Sequence, residues 1–330
     1  MENNEIIEQK VHFRGLISSI DISPEEFLLP LQEIVVNSIQ SIKDAARLTE
    51  GKIIINIIRK NECTLNFGSD EETAYNPIVG FSIRDNGVGF IKKRFDAFST
   101  PYTDFGAEIH GCKGIGRYTV LACFHSMDIE SYFEEDKQIL KRLLRFDNLY
   151  GLQKIAEKNK STLPKKKFTN ITLNQYKEPY LKFIEKYQIG KTEIAEGIIQ
   201  HCLLYFINES APTIYLKEDH EPIDEALILN DIYRSVISIE KTDRDVVVPK
   251  IEEGFVLNYI KNFNGVQSHS IHLCANNRQV GKKQTLTKYI PSFKELYDKD
   301  DNKYHLSLYV TSAFLDEKAH PQRNRFTIPE

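Results

Sequence analysis

The chain has 330 residues, 41% hydrophobic and 27% charged, with a net charge of −4. That length suits two domains of ordinary size, and the near-neutral charge supplies no global attraction for nucleic acid or anionic membrane. No run approaches the roughly 20 apolar residues of a membrane span, and the acidic start Met-Glu-Asn-Asn-Glu is not a signal peptide. Five cysteines at 63, 112, 123, 202 and 274, with no Cys-x-x-Cys pair, argue against a disulfide framework or a structural zinc site and fit a reducing cytoplasm.

In chain order, Ser23-Pro-Glu-Glu26 reads as a helix start, with a serine cap and glutamate three residues later, and Pro30 is expected to break or kink it. A longer helix is predicted from about 31 to 47, with Leu31, Ile34, Val35, Ile39 and Ile42 at helical spacing. Glu33, Asn37, Gln40 and Asp44 fall on the opposite face, and read alone they are the wet side of an amphipathic helix. The β-branched run Ile53–Ile58 predicts a buried strand. Cys63–Phe67 reads as a short strand, and Ile78–Ile83 as a strong one delivering Asp85.

Residues 90–110 show no clear periodicity and read as a lid of about 20 residues, a loop length that is usually functional. Helix at 118–124 and strands at 127–133 and 168–173 follow, with the lysines between 154 and 167 read as a solvated loop. A charged helix from about 179 to 191 marks the expected boundary, giving units 1–178 and 179–330. The second unit is assigned a helix at 194–206 and strands at 213–216, 270–275 and 304–310. In the last, Tyr304, Leu306, Leu308 and Val310 alternate with mostly polar residues, as in a one-sided strand.

Three segments carry the chemistry. Glu33-Ile-Val-Val-Asn37 sets a carboxylate and an amide one helical turn apart. Asp85-Asn-Gly-Val-Gly89 sets an acid beside two glycines at a strand exit, although Asp-Asn-Gly by itself is more often a plain turn. Gly111-Cys-Lys-Gly-Ile-Gly116 is a glycine-rich turn entering a helix, where free backbone N–H groups bind phosphate.

In this order and register the three resemble the N-box, G1 and G2 boxes of the GHKL ATPases, which include gyrase B, Hsp90, histidine kinases, MutL and the MORC proteins. The run from Gly111 to Ser131 looks like the Hsp90 and MORC version. Phe168-Thr-Asn-Ile-Thr-Leu173 is similar to the family's final Gly-Thr-x-Ile strand, with phenylalanine in the glycine's place. Gln40 stands where relatives often carry aspartate. Ile271-His-Leu-Cys-Ala-Asn-Asn-Arg278-Gln-Val280 looks like the "VNxRxV" turn of the S5-like transducer domain, and His320-Pro-Gln-Arg323 resembles the His-Pro-Thr-Lys turn of MutL.

The resemblance implies a two-layer α/β sandwich of the Bergerat type with a mixed sheet, followed by a smaller S5-like α/β domain. Its cofactors are ATP and Mg2+, with Glu33 as general base and Asn37 as magnesium ligand. Asp85, Gly87, Gly89 and Thr169 hold adenine; Gly111, Lys113, Gly114, Ile115 and Gly116 hold the phosphates; Arg323 is a cation for the γ-phosphate. ATP binding and slow hydrolysis would accompany lid closure and homodimerisation. The work is done on a protein or nucleic-acid client, in a DNA-associated, defence or chaperone-like system of which this chain is the ATPase module.

Two rivals stand beside this reading. Histidine-kinase phosphotransfer fits poorly, because about 20 residues before Ser23 leave no room for a two-helix dimerisation unit, and His12 lies between Val11 and Phe13. A non-hydrolysing nucleotide-binding scaffold has no need of a base at Glu33.

Overall fold

The computed structural model describes residues 13–60, 76–100, 116–159, 167–236, 244–247, 253–262, 268–320 and 325–328. Its first sheet has eight strands. A short helix α1 (Phe13–Ser18) and a 3-10 turn at Pro24–Glu26 lead into α2 (Leu29–Asp44), followed by β1 (Lys52–Arg59) and β2 (Ile78–Asp85). Then come α3 (Lys92–Ser99), α4 (Gly116–Cys123), β3 (Phe124–Glu135), β4 (Gln138–Asp147), β5 (Gly151–Asn159) and β6 (Phe168–Tyr176). Next are α5 (Glu178–Tyr187), α6 (Lys191–His201), α7 (Leu203–Ile207), β7 (Thr213–Glu218), β8 (Leu227–Ile228) and α8 (Leu229–Val236). The strand order is β5-β4-β3-β6-β2-β1-β7-β8, antiparallel except where β7 runs parallel to β1. Residues 213–228, placed in the second unit by the sequence reading, therefore extend the first sheet.

A second sheet is formed by β9 (Arg244–Val247), β10 (Gly254–Asn262), β11 (Ser270–Ala275), β12 (Arg278–Gln279), β13 (Gln284–Thr285), β14 (Leu296–Tyr297) and β15 (Lys303–Thr311). Helix α9 (Ala313–Lys318) follows. This sheet is also mixed, since β11 runs parallel to β15 while the remaining pairs are antiparallel. The protein is thus α/β with two mixed sheets.

Period-2 alternation puts one face of the first sheet into the core. Two rows cross five strands in register: Ile57, Phe81, Leu173, Met127, Phe146, and next to it Ile55, Ile83, Ile171, Ile129, Leu144. All ten side chains are buried, and α2 packs on them through Leu31, Val35, Ile39 and Ile42. The third row is polar. It runs Asp85, Thr169, Ser131, Arg142 and ends at exposed Glu157, with Ile53 on the far side of Asp85.

Several expectations are corrected. Pro30 does not break a helix; it lies in the first turn of α2, where a missing N–H costs nothing. The face of α2 opposite the apolar stripe is not uniformly wet: Glu33 and Gln40 are buried, while Asn37 and Asp44 are exposed. Residues 92–99 of the expected lid are helical, and its last ten residues, 101–110, lie outside the described residues, as does Cys63–Phe67. Part of the lysine loop is β5, an edge strand. In β15 the most buried residue is Tyr309 rather than the apolar alternates, because its ring stacks on His272 of β11.

Candidate functional site

Asp85 ends β2, buried at 4% exposure, under a turn that doubles back onto α2. Its Oδ1 accepts from Gly87 N–H at 2.9 Å and its Oδ2 from Ser38 Oγ at 3.2 Å. Burial pushes its carboxyl from the usual 3.8 up to about 6, opposed by the bonds from Gly87 and Ser38 and by the Arg94 charge. Asn86 pins the turn from outside, accepting from Lys52 N–H and donating to Glu50 C=O.

Both glycines of the turn are required by contact. A Cβ on Gly87 would sit 2.6 Å from the backbone carbonyl carbon of Ser41, whose oxygen already accepts from Val88 N–H. Gly89 has φ +75°, and a Cβ there would meet Ser131 Oγ and Phe133 Cβ at 2.9 Å, with Thr169 Oγ1 at 3.5 Å. The turn therefore lies flat on the polar row. Thr169 is buried beside Asp85 in register, and its hydroxyl lies 2.9 Å from that of Ser131.

Phe90, next in the chain, is held from both sides: its N–H donates to Ser131 Oγ at 3.0 Å, and its C=O accepts from Arg142 Nη1. The Arg142 guanidinium, 4% exposed, also donates to Glu157 and lies over the rings of Phe95 and Phe133. Ser38, Ser41, Ser131 and Arg142 are site residues that the sequence reading missed. Ser38 and Ser131 each carried a signal, a hydroxyl at a core position of an otherwise apolar pattern. Arg142 carried none among the neighbouring cations Lys141 and Arg145.

Glu33 projects from the first half of α2 and is 8% exposed. Gly116, the first residue of α4, faces it so closely that a Cβ would be 2.5 Å from Oε2. Arg278 of β12, 245 residues away, donates from Nη1 to both carboxylate oxygens at 2.9 and 2.8 Å. His201 Nε2, at the end of α6, is 3.9 Å from Oε1. Asn37, one turn along α2, is exposed. Arg117, in the first turn of α4, donates to Thr100 C=O at 2.6 Å and stacks near Phe98, so the start of α4 is tied to the end of α3. Burial lowers its guanidinium from the usual range.

The structure thus brings Glu33, Gly116, Asp85, Gly87, Gly89 and Thr169 around α2 and the end of the first sheet. Gly111, Lys113, Gly114, Ile115 and Arg323 lie outside the described residues. Lys282 and Lys283 are exposed. Among the described residues no group of three or more His, Cys, Asp or Glu side chains could hold a metal, and no helix is long and apolar enough to cross a membrane. No protein-family model matches this chain, and curated proteins give no match.

Proposed function

We propose that the chain binds ATP and hydrolyses it slowly with magnesium, in the manner of the GHKL ATPases and on a Bergerat-type first unit coupled to an S5-like second. The observation that carries this reading is the Asp85 cluster. A buried carboxylate, held by Ser38 and Gly87 and flanked in register by Thr169, lies beneath a glycine turn packed on α2 and the polar row. Above a pH of about 6 it is an acceptor for an amino group such as that of adenine.

Glu33 is the general base. Water's oxygen forms the bond to the γ-phosphorus, the bridging P–O bond breaks to release ADP, and the proton goes to a Glu33 oxygen. Asn37 offers an exposed amide oxygen one turn away, a donor suited to a hard cation that keeps waters and phosphates as its other ligands. Magnesium held there would neutralise phosphate charge. Gly116 opens α4, whose first-turn N–H groups suit an anion, beside the base. Nucleotide-dependent homodimerisation, a macromolecular client and a cytoplasmic setting belong to the same proposal.

The test is calorimetry with Mg-ATP together with a phosphate-release assay. Wild type should bind and turn over; Glu33→Gln should bind with affinity within a few-fold and not turn over. Absence of binding, or full turnover by Glu33→Gln, overturns the reading. The hold of Arg278 on both Glu33 oxygens favours one alternative, a scaffold that binds nucleotide without hydrolysis. Binding without turnover in every variant identifies it.

A further inference from the structure

The contact between Arg278 and Glu33 joins the second sheet to the heart of the first unit, and both partners are nearly dry, at 3% and 8% exposure. A buried ion pair contributes little net stability relative to apolar residues of the same volume, because desolvation offsets the attraction. Its local effect is on arrangement. The arginine is delivered rigidly: Asn276 and Asn277 both adopt left-handed backbone at φ 51° and 61°, forming the tight turn between β11 and β12. Asn276 N–H donates to Asp316 of α9 at 2.6 Å, and Val280 N–H returns to Leu273 C=O at 2.9 Å. Ala275, Val280 and Ala319 pack together with Phe326 beneath this hairpin. The guanidinium is therefore a fixed projection of the second sheet.

On the other side, Glu33 has little room to turn away. Gly116 closes on Oε2, and the buried Cys202 thiol, raised to about 12 by burial, lies in the same electrostatic environment as Glu33 and Arg278. A carboxylate whose oxygens both accept from a guanidinium is a poorer proton acceptor than one facing water, and those lone pairs are occupied. We propose that Arg278 is the positioning residue of Glu33, a clamp carried by the second sheet that must release the carboxylate before it can take the proton from water. This rests on the ATPase reading above. The clamp makes movement of the β11–β12 hairpin a condition of turnover, so the two units are coupled at the reacting carboxylate itself.

Arg278→Lys tests this in the full chain, keeping the positive charge while replacing the rigid guanidinium, whose Nη1 reaches both oxygens, by a flexible ammonium. With release limiting, its kcat should rise about fivefold, the effect of weakening one charge-assisted bond in that step, while KM for ATP changes less than about twofold. In a Glu33→Gln background the same change should do nothing to turnover. A kcat equal to or below wild type, with nucleotide binding intact, overturns the proposal. Should wild type bind nucleotide without turnover, an active Arg278→Lys supports the clamp and an inactive one overturns it. Failure of wild type to bind nucleotide overturns the ATP-site reading itself, and that outcome is read by calorimetry alone.

A second measurement is independent of the variant's folding. Spin labels at exposed Glu50 and Lys282 report the separation of the hairpin from the α2 side of the first unit. The distance distribution should shift on adding a non-hydrolysable ATP analogue with magnesium, and identical distributions with and without it overturn the clamp.

Discussion

Replacing Asp85 with asparagine should make the protein more stable and less able to bind nucleotide. The buried carboxyl titrates at about 6 instead of 3.8, a displacement of about two units. At about 1.4 kcal/mol per unit, holding it ionised costs the folded state about 3 kcal/mol. The folded value lies above the unfolded one, so the folded protein binds this proton more tightly. The cost is therefore complete above pH 6, shrinks as pH falls from 6 to 3.8, and vanishes below. The asparagine side chain has nothing to ionise, and its amide oxygen can still accept from Gly87 N–H while its NH2 donates to Ser38 Oγ. Urea unfolding of both proteins should give Asp85→Asn an advantage of about 2–3 kcal/mol at pH 8 and under about 1 kcal/mol at pH 4, because only wild type gains from acidification at this position. Calorimetry at pH 8 should show affinity for ATP reduced by at least about tenfold, since the amide presents a donor to the adenine amino group. A stability difference that is the same at both pH values, or a variant less stable at pH 8, would refute the reasoning.

Glu33→Ala should unfold more easily than Glu33→Gln by about 1–3 kcal/mol in urea, because both remove the charge that balances the buried Arg278 guanidinium but glutamine still offers it an accepting oxygen. Equal midpoints would show that the pair is not held as described. Asn37→Ala, on the exposed side of α2, should leave the melting temperature within a degree or two while abolishing the magnesium dependence of nucleotide binding. Unchanged magnesium dependence removes Asn37 from the site. Gly87→Ala places a methyl 2.6 Å from backbone of α2, which cannot swing aside, so a loss of about 1–3 kcal/mol is expected in denaturant unfolding together with weaker nucleotide binding. A neutral effect would mean that the turn is not packed on Ser41.

The strands that carry the core were legible because their sequences are β-branched and alternate cleanly; Ile53–Ile58 and Ile78–Ile83 each lie within the strands β1 and β2. Strands β4 and β5 escaped for the opposite reason. Lys141, Arg142, Arg145 and Lys154 give them the composition of a solvated loop, and only pairing against β3 shows that Arg142 faces inward. The acid and glycines of the Asp85 turn could be found from spacing. Their supports could not, since Ser38 reaches Asp85 through helix packing and Ser131 reaches Gly89 and Phe90 through sheet register, which no local window contains. The partner of Glu33 lay furthest from view: the turn around Arg278 is readable as a motif, but its destination is set by how the second sheet seats on the first unit.

Helix α2 shows how such sites mark themselves once the packing is known. A helix needed only to cover the sheet would repeat residues like Leu31, Val35, Ile39 and Ile42, each fully buried. Instead it also buries Glu33, Ser38, Gln40 and Ser41, at some cost in desolvation. Local rules broken at buried positions are expected where function imposes them. Two of these exceptions are answered by specific partners: Ser38 by Asp85, where the proposed adenine contact lies, and Glu33 by Arg278, where the proposed proton transfer is controlled. Because both lie on one rigid helix, little more than a turn apart, a displacement of Arg278 that tilts α2 is felt at Asp85 as well. On the proposed reading, nucleotide seated against Asp85 would have, in the same helix, a route by which to loosen the clamp.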